Sequence, residues 1–271
     1  MKISIITVTF NAADVLEKTL QSIFEQTVRD FECLIIDGDS KDGTLDIIKR
    51  YENIALERGI VFRYISEKDN GLYDAMNKGL TLAQGDFVWF VNAGDKIYDN
   101  GTVALILQQL AENASDTAGA GIYGKNGEYG KAGRPVPDVI YGQSLIIDEN
   151  DRPLGERHKI APPHLTKKSL LNGLVVCHQS ILVRREIAPQ YNTNYQISAD
   201  YDWTVRVLEK SHGNLYIDSY ISRFMTAGIS AKHRKKSLKE RYCIMRQHFG
   251  ITNTIVAHLR IILKYPFTRK Y

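Results

Sequence analysis

Residues 66–95 constrain the fold of this 271-residue chain more than any other stretch. Five apolar residues recur there at the spacing of one helical face: Leu72, Ala75, Met76, Leu80 and Ala83. A continuous apolar run follows at 87–91, which is typical of a strand that is covered on both faces. Asp95 comes shortly after this run. Because ligands of open α/β sheets bind beyond the carboxyl ends of the strands, we predict that Asp95 lies at a ligand site.

The N-terminal part of the chain repeats this order of strand and helix. Apolar runs at 3–8, 33–36 and 61–65 predict three more strands, and helical apolar spacing follows the first two at 15–24 and 45–51. Strands that alternate with helices imply right-handed crossover connections and a mainly parallel sheet. We therefore predict an α/β fold in which the acidic and small residues after the strands converge on one edge of the sheet.

The composition favours a chain with a full core in a reducing compartment. Apolar residues make up 44% of the sequence. Cys33, Cys177 and Cys243 form no CxxC pair, and their odd number argues against a disulfide framework. The first residues pass into a predicted strand without the pattern of a signal peptide, and no apolar run approaches the ~20 residues that cross a bilayer. We expect a cytoplasmic protein.

The net charge of +4 hides an uneven distribution. Residues 231–271 contain 11 Lys and Arg against one acid, Glu240, a net charge of +10. Residues 1–230 carry 24 basic and 30 acidic residues, a net charge of −6. This change marks 231–271 as a basic, helical C-terminal tail behind an acidic body.

Apolar residues of the tail fall on one helical stripe that basic residues flank. The stripe consists of Ile255, Val256, Leu259, Ile262 and Leu263. Such a helix could lie in an anionic membrane surface, or it could pack on the body or on a second subunit. No nucleic-acid-binding motif accompanies the charge, so a nucleic-acid partner is not expected.

Six short motifs together carry a resemblance to a known family. They are SIITVTFNA at 4–12, IIDGDSKDGT at 35–44, EKDNGLYDAMNKG at 67–79, GDFVWFVNAGD at 85–95, CHQS at 177–180 and SADYDW at 198–203. In order and spacing the chain resembles a family 2 glycosyltransferase over about 220 residues. The resemblance implies a GT-A fold, a Rossmann-like and mainly parallel sheet flanked by helices, in a catalytic domain of residues 1–230. Within it, 1–112 would be the nucleotide-sugar-binding half and 113–230 the acceptor-side half.

The same resemblance implies donor-binding residues in the first two loops. A carboxylate after the second strand would accept hydrogen bonds from the nucleotide base, and Thr7, Thr9, Phe10 and Asn11 would lie beside it. Gly38 stands where the family often has a second acid, so Asp37 or Asp39 could serve, and we prefer Asp37 because it comes first after the strand. The alternative is an Asx turn that leads into a helix.

Further donor contacts are implied in the next two loops. Asp69, Asp74 and Lys78 are candidates, although Asp69-Asn70-Gly71 is also a turn signal. Asn92, Ala93 and Gly94 would contact the donor. The family often has Asp-x-Asp here, and in this chain Asp95 alone retains the metal-binding position for Mn²⁺ or Mg²⁺, with diphosphate oxygens and waters as the other ligands. The alternative role for Asp95 is a helix N-cap.

The downstream motifs correspond to the acceptor side of the family. Asp200 would be the general base that takes the proton of the acceptor hydroxyl, with Asp202 as second candidate and a helix N-cap as the alternative. His178 and Gln179 would lie on the acceptor side, although a histidine beside a strand is more often structural. Residues 228–230 and His233 resemble a flap that closes over the diphosphate.

The resemblance implies an inverting, metal-dependent glycosyltransferase of bacterial surface polysaccharide synthesis. Its donor would be a nucleoside-diphosphate sugar, with uridine as base, and its acceptor a glycan or a polyprenyl-diphosphate-linked oligosaccharide. The basic tail would place it on the inner face of the cytoplasmic membrane. One alternative is a nucleotidyltransferase, which should have a basic, Gly-rich N-terminal loop that residues 7–12 do not provide. The other is a degenerate module that only binds a nucleotide sugar or a glycan.

Overall fold

The computed structural model describes residues 2–115, 136–148, 150–157, 159–225 and 233–264. The strands are β1 (Ile3–Thr9), β2 (Phe31–Asp37), β3 (Val61–Ser66), β4 (Phe87–Phe90), β5 (Lys96–Ile97), β6 (Val139–Ile147), β7 (Pro153–Glu156), β8 (Ile181–Arg184) and β9 (Asn214–Met225). The helices are α1 (Ala13–Phe24), α2 (Thr44–Arg58), α3 (Leu72–Leu82), α4 (Thr102–Ser115), α5 (Ala199–Lys210), α6 (Arg234–Phe249) and α7 (Ile251–Lys264). Short 3₁₀ turns occur at Lys167–Asn172, His178–Ser180 and Arg185–Ile187.

The described strands form one mixed sheet in the order β3-β2-β1-β4-β8-β6-β9-β5, and β7 pairs with β6. β3, β2, β1 and β4 are parallel to one another, whereas β8 runs antiparallel to both β4 and β6. All residues of β1, β2 and β4 are buried, as expected for strands covered on both faces. The predicted α/β fold with a mainly parallel sheet is confirmed, and the strands that pair antiparallel are β5, β7 and β8.

The sheet separates two apolar cores. One contains α1, α2 and α4 residues such as Leu16, Ile48 and Val103. The other contains residues of α3, α5 and α6, among them Tyr73, Trp203 and Ile244. Helices on both faces of the sheet leave the carboxyl ends of the parallel strands open, and ligands of such folds bind at that edge.

An aromatic stack joins α3 to α5 beneath this edge. Tyr191 lies parallel to Trp203 with ring centroids 5.0 Å apart, and Tyr73 stacks on the other side at 5.6 Å. The ring of Phe90 on β4 makes edge-to-face contacts with Tyr191 and Trp203. Stacked aromatic rings are rigid and well buried, so they fix the distance between the two helices.

The two C-terminal helices pack against the body. Ile244 and Met245 of α6 and Thr254 and Ala257 of α7 are buried. The boundary that the charge pattern places at residue 230 lies outside the described residues, as do residues 228–230 of the predicted flap. Within the described ranges no helix has both the length and the apolar character that a membrane span requires.

Candidate active site

A cavity of about 420 Å³ opens where the carboxyl ends of β1 and β4 meet the start of α5. Nine of the residues singled out from the sequence line it: Thr9, Phe10, Asp69, Asn92, Ala93, Asp95, His178, Gln179 and Asp200. Tyr73, which lies within the motif at 67–79, also lines the cavity, and Gln196, Phe224 and Met225 add walls that no sequence motif indicated. The predicted donor and acceptor sides therefore face each other across one cavity.

Asp95 is buried at the base of this cavity, with 7% of its surface exposed. One carboxylate oxygen accepts a hydrogen bond from Nε2 of Gln179 at 2.8 Å, and the other accepts the backbone N–H of Met225 at 3.3 Å. Burial raises the pKa of the Asp95 carboxyl to about 7, although these two hydrogen bonds lower it. A cation beside the carboxylate would favour its ionised form.

Two buried side-chain oxygens of residues that line the cavity have no hydrogen-bond partner among the described residues. They are Oδ1 of Asn92 and Oγ1 of Thr9, and both residues line the cavity. Buried polar atoms are rarely left without a hydrogen bond, so these two oxygens are candidates to contact a ligand. No cluster of three or more His, Cys, Asp or Glu side chains that could hold a metal occurs in the described ranges.

His178 lies between the donor-side loop and Asp200. Its Nε2 is 3.3 Å from Nδ2 of Asn92, and its Nδ1 is 3.7 Å from Oδ2 of Asp200. Burial lowers the pKa of His178; Asp200 opposes this shift and Arg157 adds to it. A neutral imidazole that accepts from the Asn92 amide carries its proton on Nδ1, on the side of Asp200.

Asp200 is held at the first turn of α5 by the segment before it. The Glu240 carboxylate accepts the backbone N–H groups of Gln196, Ile197 and Ser198 at 2.9–3.0 Å. The hydroxyl of Tyr73 donates to the carbonyl of Ile197 at 2.9 Å and lies 3.5 Å from Oδ1 of Asp200. The Asp200 side chain remains 23% exposed toward the cavity, so a substrate can reach it.

Among the acids of the described loops after β2 and β3, Asp69 lines the cavity. Asp37 is fully buried and accepts hydrogen bonds from Ser40 and Ser66, while Asp39 is paired with Lys41. A β-carbon at Gly38 would lie 2.5 Å from Oδ2 of Asp69. The absence of a side chain at position 38 thus leaves room for the Asp69 carboxylate. Neither Asp37 nor Asp39, the two sequence candidates, lines the cavity.

Several other sequence candidates lie outside the cavity and have local partners. Thr7 donates to the carbonyl of Val91, Asn11 bridges to the backbone of Lys41, Asp74 accepts from the backbone of Asn70, and Lys78 pairs with Glu67. Gly94 is buried and donates to Thr19, next to the cavity wall. These contacts give the loops their shape. His233 is exposed at the start of α6.

Asp202, the second candidate for the base, turns away from the cavity. Its carboxylate binds Arg206 at 2.7 Å and Nε2 of His248 at 2.9 Å. Burial raises the pKa of Asp202, but the hydrogen bond from His248 and the charge of Arg206 outweigh it, so the net shift is downward. Asp202 thus joins α5 to α6, which is a structural role.

Known proteins resemble this chain in sequence. A family model described as Glycosyl transferase family 2 matches residues 4–191. A PGL/p-HBAD biosynthesis glycosyltransferase of Mycobacterium bovis is 33% identical over 207 residues, which cover 75% of this chain and 68% of that protein. The poly(ribitol-phosphate) beta-N-acetylglucosaminyltransferase TarP of Staphylococcus aureus is 27% identical over 235 residues, with 79% and 68% covered.

Solved structures share the fold at low sequence identity. Staphylococcus aureus TarS 1-349 in complex with UDP-GlcNAc has a TM-score of 0.65 and 16% identity, and the match covers 100% of this chain and 76% of that one. A mannosyltransferase from Pyrobaculum calidifontis in complex with GDP-Man and Mn²⁺ has a TM-score of 0.65 and 16% identity, with 98% and 71% covered.

The Glu240 contact generates a prediction about the segment before Asp200. In Glu240→Gln the amide nitrogen replaces an acceptor and faces a backbone N–H, so we expect the free energy of unfolding to fall by about 1–3 kcal/mol. Amide hydrogen exchange at residues 196–198 should become faster. Glu186→Gln, whose native side chain is 75% exposed, is the matched control and should change neither quantity. Unchanged exchange in Glu240→Gln would mean that the carboxylate does not hold this segment.

Proposed function

This chain belongs to glycosyl transferase family 2, and we propose that it is an inverting, metal-dependent enzyme that transfers a sugar from a uridine-diphosphate donor to a hydroxyl of a glycan acceptor. The observation that carries the proposal is the placement of Asp95 and Asp200 in the wall of one cavity. Transfer with inversion needs positive charge beside the leaving diphosphate, which a carboxylate-bound cation can provide, and a general base beside the acceptor hydroxyl. A module that only bound sugar would need neither.

The residues around Asp95 suit a hard divalent cation. Mn²⁺ and Mg²⁺ prefer oxygen ligands, and the Asp95 carboxylate and the unpartnered Oδ1 of Asn92 are oxygens in the same cavity. We propose that these two residues hold the ion, and that substrate oxygens and waters complete its coordination. When bound, the cation neutralises the negative charge that develops on the departing diphosphate. The Mn²⁺ in the Pyrobaculum mannosyltransferase supports this assignment.

Asp200 is the proposed general base. The attacking hydroxyl oxygen forms a bond to the anomeric carbon while the bond from that carbon to the diphosphate breaks, and the hydroxyl proton passes to the Asp200 carboxylate. Nδ1 of His178 at 3.7 Å and the hydroxyl of Tyr73 at 3.5 Å flank this carboxylate. A fixed orientation matters because proton transfer needs the oxygen within hydrogen-bond reach of the acceptor.

We propose that the Asp69 carboxylate binds the nucleotide base by a hydrogen bond. The N3–H group of uracil donates a hydrogen bond, so a carboxylate is a suitable partner, and Asp69 is the acid that the loops after β2 and β3 present to the cavity. The adjacent exposed ring of Phe10, 62% accessible, offers a surface for stacking. The UDP-GlcNAc bound by TarS supports uridine as the base.

The proposed setting is bacterial surface polysaccharide synthesis at the inner face of the cytoplasmic membrane. The relatives named for PGL/p-HBAD biosynthesis and for poly(ribitol-phosphate) modification support a glycan acceptor, either free or carried on a polyprenyl diphosphate. α7 presents apolar side chains to solvent, with Ile251, Ile255 and Leu259 each about half exposed at 56%, 47% and 54%. Exposed basic residues lie on the same two C-terminal helices: Arg234, Lys235, Lys236 and Lys239 on α6 and Arg260 on α7. An apolar stripe among cations suits an anionic lipid surface.

Asp95→Asn tests the metal assignment. We expect the variant to keep its fold and its weak metal-free affinity for UDP, but to lose most of the gain in affinity that Mn²⁺ provides, because a neutral amide is a poor ligand for a hard cation. Isothermal titration of UDP with and without Mn²⁺ measures both. An unchanged Mn²⁺-dependent gain would place the cation elsewhere.

Asp200→Asn tests the base. Turnover should fall by about 10²–10⁴-fold, the usual size of a general-base contribution, while UDP affinity stays unchanged. Asp202→Asn is the matched control, since it should lower the melting temperature through loss of the Arg206 and His248 contacts while the folded enzyme keeps its turnover. If Asp202→Asn abolished turnover and Asp200→Asn did not, the base would be Asp202.

Charge substitutions on α7 test membrane binding. The double variant Ile255→Glu/Leu259→Glu should lose flotation with vesicles of phosphatidylglycerol and phosphatidylcholine, while UDP binding is retained. Salt should weaken wild-type flotation, because each basic residue contributes roughly 1 kcal/mol that ions screen. Leu56→Glu on α2, where Leu56 is 84% exposed, is the control and should float. Absence of flotation by the wild-type protein would contradict the membrane proposal.

A further inference from the structure

Three basic side chains converge in a second cavity of about 350 Å³ that shares Asp200 and His178 with the first. Arg157 and Lys159 follow β7, and Arg241 lies on α6. None of the three lines the donor cavity. The second cavity therefore extends from the proposed base away from the nucleotide side.

The positive charge of this cluster is not neutralised within the described part of the chain. No carboxylate there forms an ion pair with Arg157, Lys159 or Arg241. Arg157 donates to the carbonyl of Leu174, and Arg241 lies over the ring of Tyr201 at 5.4 Å. Burial lowers the pKa of Lys159 to about 8, and the nearby Arg241 and Arg157 lower it as well. Cations that are crowded and partly desolvated favour an anion between them.

The cluster is focused on one point beside Gly173. A β-carbon at Gly173 would collide with both Nη2 of Arg241 and Nζ of Lys159. The two cationic groups, which come from distant parts of the chain, therefore approach the same small space. The missing side chain at Gly173 leaves room for both cationic groups at this point.

We propose that Arg157, Lys159 and Arg241 bind a phosphate group of the acceptor and so place its hydroxyl at Asp200. The inference rests on the proposed function in one respect, that Asp200 marks the position of the reactive hydroxyl. A guanidinium fork and an ammonium group together match the several oxygens of a phosphate. The volume is sufficient for a sugar- or polyol-sized unit, since ligand cavities begin at about 300 Å³.

The acceptor is a better candidate than the donor as the source of this phosphate. The donor diphosphate is expected beside Asp95, and Asp95 lines the first cavity but not the second. TarP is named for a poly(ribitol-phosphate) acceptor, a chain of phosphodiesters. A polyprenyl diphosphate would offer the same chemistry from a lipid-linked acceptor.

Isothermal titration of ribitol 5-phosphate tests the proposal. The wild-type protein should bind ribitol 5-phosphate but not ribitol, both in the presence of saturating UDP with Mn²⁺ and in their absence. Lys159→Gln and Arg241→Gln should each weaken this binding about tenfold or more, because charge-assisted hydrogen bonds are the strong ones. Lys159→Arg, which keeps the charge, should retain it. Lys239→Gln is the matched control, since Lys239 is an exposed cation of the same helix as Arg241.

Each other outcome has a definite meaning. Equal affinity for ribitol and ribitol 5-phosphate, or equal affinity of the wild-type and Lys159→Gln proteins, would overturn the proposal. Loss of UDP affinity in Lys159→Gln without loss of ribitol 5-phosphate affinity would assign the cluster to the donor and would also overturn it. Failure of the wild-type protein to bind UDP would contradict the proposed function alone, because the metal- and UDP-free titration still tests the cluster. Tighter binding of farnesyl diphosphate than of ribitol 5-phosphate would support the proposal and identify the lipid-linked source.

Discussion

The parallel pairing of β1 with β2 on one side and β4 on the other is the constraint on which the site depends. The register sets Thr9 beside Asp37, and backbone hydrogen bonds continue the pairing past the strand ends, from Gly38 to Thr9 and from Ala93 to Val8. The loops that follow the three strands therefore leave the sheet side by side. Since strands this deeply buried cannot shift by one residue without turning their side chains to the wrong face, the positions of these loops are fixed.

Asp95 shows how the second half of the chain completes what the first half begins. Asp95 lies in the loop after β4, but its buried carboxylate accepts hydrogen bonds from the side chain of Gln179 and from the backbone of Met225 at the end of β9. Burial still dominates, because the pKa of the group stays about 7. An acid held in this condition favours a nearby cation, so the same contacts that limit the energetic penalty of burial also prepare the site for a ligand.

Asp200 depends on contacts that span much of the sequence. α6 supplies Glu240 to three backbone donors before α5, and α3 supplies the hydroxyl of Tyr73. Both contacts bind the backbone just before the proposed base, whereas the base itself keeps its carboxylate accessible. The basic C-terminal region thus helps to form the site, because its one acid, Glu240, holds the backbone before Asp200. The exposed apolar side chains of α7 take no part in these contacts.

The order of strands and helices from β1 to β4, the buried character of β1, β2 and β4, and the loop that carries Asp95 could be predicted from the sequence, because periodicity and turn residues act locally. The choice among neighbouring acids could not. Asp37, the preferred base-binding candidate, accepts hydrogen bonds from Ser40 and Ser66 and does not line the cavity, whereas Asp69, for which Gly38 leaves room, does line it. Asp202 comes two positions after Asp200 and therefore lies on a different face of α5, where its carboxylate contacts His248 instead of the cavity.

The basic cluster had no sequence signal at all, since Arg157 and Lys159 precede Arg241 by some eighty positions and meet it only beside Gly173. The sequence by itself determined which elements form and which loops carry carboxylates, because hydrogen-bond geometry and hydrophobic spacing are properties of neighbouring residues. Only the tertiary structure decided which carboxylates and cations face a common cavity. That outcome depends on packing between distant segments, whose side chains compete for the same partners and the same space.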